Sequence, residues 1–121
     1  MYSPWGFNCW QPFLCYGKDP SLKSGNGCRP DAVDMNTPAN EDDLDHPCPK
    51  PLKLWLWFIE RLSFDASDVL YDPFAGSGTT LVACQILQRK CRAIEIAPNY
   101  CAVILQRMQD AFGITGERIE A

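Results

Sequence analysis

Histidine occurs once in these 121 residues, and no two of the seven cysteines, at 9, 15, 28, 48, 84, 91 and 101, stand in C-x-x-C spacing. That combination leaves no ligand set for a structural zinc and no metal is expected. An odd thiol count is read as free cysteines in a reducing, cytoplasmic setting. Long apolar runs are missing too. The longest, Leu54 to Ile59, is six residues and is closed by Glu60, far short of the roughly 20 that cross a bilayer, so no membrane partner is expected. Positive charge is scarce. The formal net charge is -4 and the pI about 4.8, the wrong sign for a chain that holds nucleic acid by its own basic face. Two motifs are absent as well. No lysine follows the glycines of residues 76–78, which excludes a phosphate-cradling P-loop, and no Pro-Pro dipeptide occurs anywhere.

What is present divides into three parts, 1–45, 46–113 and 114–121, the last a short tail. The length suits one domain. Residues 1–45 hold five of the ten prolines and several Gly, Asn and Asp. Only "WQPFLCYGK" (10–18) reads as a strand there, with Pro12 confining it to an edge or moving its start to Phe13. Residues 19–45 read as a long loop ending in the acidic run "EDDLD" (41–45). A loop of that length implies a functional insertion or a missing partner.

From His46 onward the pattern becomes regular. Residues 50–63 predict a helix, with Pro51 in its first turn and Leu52, Trp55, Leu56, Ile59 and Leu62 in one stripe. Trp55 and Trp57 are expected to pack in or against the core. "DVLYD" (68–72) is a short buried strand. A helix over about 79–89 turns Val82, Ala83, Ile86 and Leu87 inward, and "CRAIEI" (91–96) is a second strand. Pro98 opens a last helix with Cys101, Ile104, Leu105, Met108 and Phe112 inward and Gly113 as C-cap. Strand, helix, strand and helix at this spacing predict a parallel sheet.

"DPFAGSGTT" (72–80) lies at the turn between the first strand and its helix. Gly76 and Gly78 fit the first two glycines of G-x-G-x-x-G, but Leu81 takes the third place, so the dinucleotide match is partial. Asp72 stands at the carboxyl end of the first strand, where open α/β sheets bind ligands, and Glu95 at the end of the second, 19 residues after Gly76. A carboxylate at that second position accepts hydrogen bonds from ribose hydroxyls. Asp72 would repel a pyrophosphate and suits a ligand with a cationic end. S-adenosylmethionine has the ribose, the ammonium and the sulfonium, and no phosphate.

Four blocks resemble the DNA amino-methyltransferases of the permuted class in which the cofactor motif lies toward the C-terminus: "HPCPKP" (46–51), "DPFAGSGTT" (72–80), "AIEIAPNYCAVILQRM" (93–108) and, upstream, "WGFNCWQPFLCYGK" (5–18). The resemblance implies a partial Rossmann-like, S-adenosylmethionine-dependent methyltransferase fold: an α/β chain with a parallel βαβ core and an irregular N-terminal segment. It implies methyl transfer to the exocyclic amine of adenine or cytosine in DNA. By position it implies that Asp72, Phe74, Gly76, Ser77 and Gly78 line the methionine and ribose part of the cofactor. Glu95 would take the ribose hydroxyls, Ile96 would pack on the adenine, and His46, Pro47 and Lys50 would close the methionine end.

The family's catalytic block, Asp/Asn/Ser-Pro-Pro-aromatic, is not in this chain. "SPW" (3–5) is the nearest string and leads directly into the family's later segment. No catalytic residue is therefore assigned, and the chain alone is expected to be inactive. It would be a truncation, one half of a split enzyme or a remnant that binds the cofactor, and it would meet DNA only through an upstream half. The open side of the first strand is expected to self-associate or to take that complementing half. A nicotinamide-dependent oxidoreductase is the rival that Leu81 disfavours.

Overall fold

The computed structural model describes residues 2–3, 6–7, 12–23, 25, 27–35 and 50–120. Tyr2–Ser3 (β1) and Gly6–Phe7 (β2) pair antiparallel, with Tyr2 opposite Phe7. The remaining elements are α1 (Pro20–Lys23), α2 (Leu52–Leu62), β3 (Val69–Asp72), α3 (Thr79–Ile86), β4 (Lys90–Ala93) and α4 (Pro98–Phe112). β3 and β4 run parallel, Val69 opposite Lys90 and Asp72 opposite Ala93. The chain is thus an α/β unit, a partial Rossmann-like fold built on one βαβ crossover.

The core lies between α2, α3 and one face of this sheet. Ile59, Ala83 and Cys84 are its fully buried members, and Leu52, Trp55, Leu56, Leu70, Leu87 and Cys91 pack around them. The expected stripe of α2 is therefore the packed one, except that Leu62 is exposed. Leu62 sits on the last turn, where the helix runs out over an open groove. On α3 the inward set shifts. Ile86 is exposed, and Thr79, Thr80, Val82, Ala83 and Cys84 are buried. This helix is enclosed on more than one side at its N-terminal end, so a single apolar stripe does not describe it. The Cys84 thiol hydrogen-bonds that of Cys91, and this contact together with burial pushes Cys84 far above the ordinary thiol range. It is a core group, not a reactive one.

The second strand is shorter and earlier than expected, because the chain leaves β4 after Ala93 to cross over the glycine turn. Ile94 still bonds Asp72 O through its N–H, and Ala75 N–H returns to Ile94 O at 3.0 Å. α4 has the predicted bounds. Gly113 adopts φ +68° and closes the helix, its N–H on Gln109 O at 2.8 Å and that of Ile114 on Met108 O. Of the residues expected inward on α4, Leu105 is exposed and none is fully buried, since α4 rests on the glycine turn and not on a sheet face.

Two expectations for the N-terminal part need correction. Residues 12–18 carry no strand; Phe13 stacks instead on Phe58 and Trp55 of α2, ring centroids 4.6 and 6.0 Å away. Residues 19–35 are not loop throughout. Asp19 Oδ1 accepts the Ser21 N–H at 2.7 Å and Pro20 opens α1, the cap-then-proline start of a helix. The run 41–45 lies outside the described residues. No helix among them is long and apolar enough to cross a membrane.

Candidate functional site

The parallel pairing puts Asp72 and the segment after β4 at one end of the sheet, with the turn 73–78 between them. Gly76 and Gly78 both take positive φ, 54° and 83°, a region glycine enters freely. Gly78 has a second reason to be glycine. A Cβ there would lie 2.8 Å from Cγ1 of Ile104, so helix α4 presses on the back of the turn. Arg107, one turn further along α4, donates from Nη1 to Ser77 O and to Thr79 Oγ1, each at 3.2 Å.

Glu95 ties the far side. Its Oε2 accepts the Gly76 N–H at 2.7 Å and its Oε1 accepts the Ala97 N–H at 2.9 Å. This carboxylate, two residues past β4, thus bridges directly to the glycine turn. Asp72 is held in the same manner. Its Oδ1 accepts the Phe74 N–H at 2.9 Å and its Oδ2 the hydroxyl of Thr80 at 2.6 Å. Two carboxylates therefore flank one glycine turn, each fixed by backbone or side-chain donors.

A cavity of about 180 Å³ opens on the turn, lined by Lys50, Trp55, Asp72, Phe74, Ala75, Gly76, Ser77, Thr79 and Thr80. It gathers five of the residues singled out in the sequence: Lys50, Asp72, Phe74, Gly76 and Ser77. Gly78 and Ile96 are not in its lining, and Glu95 reaches it only through Gly76. Phe74 and Ile96 are 87% and 95% exposed, so they stand as open apolar surface beside the turn. His46 and Pro47 lie outside the described residues. Trp55, Thr79 and Thr80 were missed as site residues. The two threonines sit inside the quoted motif, but Trp55 is 25 residues from Thr80 and meets it only because α2 packs on α3.

A wider groove, about 590 Å³, runs along the other side of β3 between Phe58, Ile59 and Leu62 of α2 and Val69, Leu70 and Tyr71. Among the described residues β3 pairs only with β4, so its second edge faces this groove. Val69 and Tyr71 on the face turned away from the core are exposed as well.

The DNA methylase family model matches residues 5–106. A 53-residue stretch is 38% identical to the Type II methyltransferase M.MjaII of Methanocaldococcus jannaschii, covering 44% of this chain and 10% of that protein. Among solved structures, the M1.HpyAVI–SAM complex aligns at 32% identity and TM-score 0.50 over 60% of this chain and 41% of its own. TTHA0409 from Thermus thermophilus, a candidate DNA modification methylase, aligns at 37% identity and TM-score 0.50 over 58% and 30%. The chain spans about a tenth of the curated relative it matches and less than half of either solved one.

Proposed function

Since the chain belongs to the DNA methylase family, we propose that it forms the methyl-donor half of an S-adenosylmethionine-dependent enzyme acting on an exocyclic amine of adenine or cytosine in DNA. The observation that carries this is the pair of carboxylates at one end of the parallel sheet, Asp72 closing β3 and Glu95 two residues past β4, with Glu95 bonded to the Gly76 N–H across the turn. The donor set fits the cofactor. Asp72 offers acceptors to an ammonium, Lys50 a cation to a carboxylate, and Glu95 a carboxylate to ribose hydroxyls. A pyrophosphate would meet two anions here and one lysine. The cavity at the turn is smaller than the roughly 300–1,000 Å³ of sites that enclose a whole ligand. It suits the amino-acid end, while the nucleoside would lie in the open between Phe74, Ile96 and Glu95. His46 and Pro47 are proposed at the methionine end on the family's pattern alone.

The bound cofactor would supply an electrophilic methyl group on sulfur. The residues of this chain bind and orient it: Asp72 and Lys50 fix one end, Glu95 the other, and Ile104 with Arg107 hold the turn rigid from behind. None of the 121 residues belongs to a Pro-Pro-aromatic block that would hold a flipped base. Such positioning is equivalent to roughly 7–11 kcal/mol of barrier. We therefore assign the transfer step to this chain only in company with residues outside it. A net charge of -4 likewise leaves the DNA contact to that other half. Its place is the free edge of β3. Parallel strands are almost always covered on both faces and paired within the sheet, and among the described residues no strand pairs with β3 on the groove side. Purified alone, the chain should pair with itself there or aggregate.

The test is ligand-induced stabilisation. S-adenosylmethionine or S-adenosylhomocysteine should raise the melting temperature and NAD should not. Glu95→Ala should weaken cofactor binding about ten- to a hundredfold by removing charge-assisted hydrogen bonds. Stabilisation by NAD alone would indicate a dehydrogenase instead. Label passing from S-adenosylmethionine into DNA with this chain by itself would refute the need for a second half.

A further inference from the structure

Three side chains from three elements form a directed chain at the wall shared by the turn cavity and the β3 groove. Trp55 Nε1 on α2 lies 2.6 Å from Thr80 Oγ1 on α3, and Thr80 Oγ1 lies 2.6 Å from Asp72 Oδ2 on β3. The direction follows from the chemistry. An indole nitrogen only donates, so the hydroxyl must accept from Trp55. Its single hydrogen is then committed to the carboxylate. A threonine in a helix ordinarily has its own preceding carbonyl as a competing acceptor. Here the indole and the carboxylate together take the hydroxyl across to β3. Thr80 is 8% exposed, so water does not compete freely for it.

The other Asp72 oxygen is held by the Phe74 N–H. One donor on each oxygen fixes the carboxylate plane, and the remaining lone pairs are left over for a ligand. Trp55, Thr80 and Asp72 line both the turn cavity and the groove, so the relay forms the partition between them. We infer that Trp55 and Thr80 are positioning residues, which aim the Asp72 carboxylate at the ammonium of an amino-acid-bearing nucleoside in the turn cavity. This rests on the methyl-donor reading of that cavity. It adds a determinant on α2, outside the glycine motif, that selects for the amino-acid end of the ligand.

A merely structural link would affect every ligand of the folded chain alike, whereas a positioning role affects only ligands with the ammonium. The measurement uses calorimetry on the full chain with two probes: S-adenosylhomocysteine, which carries the amino-acid end, and 5′-methylthioadenosine, which lacks it. Thr80→Val should weaken S-adenosylhomocysteine about tenfold, the scale of one hydrogen bond to a charged group, and leave 5′-methylthioadenosine within about twofold. Thr80→Ser keeps the hydroxyl and should restore the parent affinity. Trp55→Phe keeps most of the ring and should weaken S-adenosylhomocysteine selectively by a smaller factor. If Thr80→Val does not fold, Trp55→Phe carries the same comparison. Equal loss of both probes, or no loss of either, would overturn the positioning role. Failure of the parent chain to bind either probe would overturn the methyl-donor reading and this inference with it.

Discussion

Residues 12–35 and the βαβ unit of residues 69–113 are both anchored on α2, by different physics. The first is attached largely through arginines. Arg29 Nη2 donates to Asp19 Oδ1 at 2.6 Å and to Arg61 O at 2.8 Å, one of the carbonyls left open at the end of α2. Its guanidinium lies 5.2 Å from the Phe64 ring centre, and Arg61 covers Trp57 at 4.5 Å and bonds Pro30 O. The second is attached through the buried faces of α2 and α3, and its turn is fixed by backbone donors and carboxylates. A charged clasp near the surface can open without disturbing its neighbours. A turn squeezed between a helix, a strand end and two carboxylates cannot. The residues proposed to hold a ligand belong to the second kind, which gives them a fixed geometry before any ligand arrives.

Four changes would sharpen or break that contrast. The largest effect is expected at Gly78. A valine there must take φ +83° and place Cβ against Ile104. Backbone strain and overpacking are each of order 1–3 kcal/mol, so unfolding free energy should fall by about 2–6 kcal/mol. Adding Ile104→Ala should recover the packing share and leave the backbone share. A Gly78→Val protein as stable as its parent in denaturant titration would mean that the turn is not squeezed at all.

Next comes Ile59→Ala, which empties the centre of the core that α2 shares with α3 and should cost about 2–5 kcal/mol. Hydrogen exchange should quicken in β3 and α3 together with α2. Acceleration confined to α2 would show that the βαβ unit does not depend on it.

Arg29→Ala should be milder, about 1 kcal/mol, because both the Arg29–Asp19 ion pair and the bond to Arg61 O are only partly buried. Proteolysis within residues 20–35 should quicken while the melting temperature of the remainder holds. A large loss of global stability would erase the distinction between the two regions.

The smallest effect is a pH dependence at Asp19. Its hydrogen bond from Arg29, and then that from the Ser21 N–H, hold its carboxyl below the ordinary 3.8. A depressed folded value means the contribution is present above 3.8 and is lost as pH falls through the lower, folded value. The melting-temperature gap between parent and Asp19→Asn should therefore be constant near neutrality and close below pH 3.8. A gap that widened on acidification would reverse the sign of the linkage.

Legibility in the sequence follows locality. α4 reads correctly to the residue because Pro98 and Gly113 punctuate it, and each acts through its own backbone. The βαβ order and the placing of Asp72 at a strand end read correctly because alternating short elements leave few topologies, whereas Glu95 falls two residues past β4, which ends at Ala93. α1 escapes because four residues show no periodicity, and the Asp19–Pro20 start also looks like loop punctuation. The strand expected at 10–18 is absent over 12–18 because Phe13 there serves a side-chain contact, packing on Phe58 and Trp55 of α2. Trp55 is legible as a packing residue but not as a donor to Thr80, since that bond depends on how two helices meet. The bridge from Gly76 to Glu95 is invisible for the same reason.

Every rung of the β3–β4 ladder joins residues 21 positions apart, Val69 to Lys90 and Asp72 to Ala93 alike. No hairpin can start such a pairing; the intervening α3 must shorten the span first, and the entropy of closing that loop is charged before any rung is made. On a ribosome, β3 is finished well before the residues that will flank it have left the tunnel. Until Ala93 and Glu95 emerge, the Gly76 N–H has no carboxylate and Ile94 is not there to receive Ala75. The turn is therefore completed late, and a nascent chain halted before residue 95 would carry the glycines without the site.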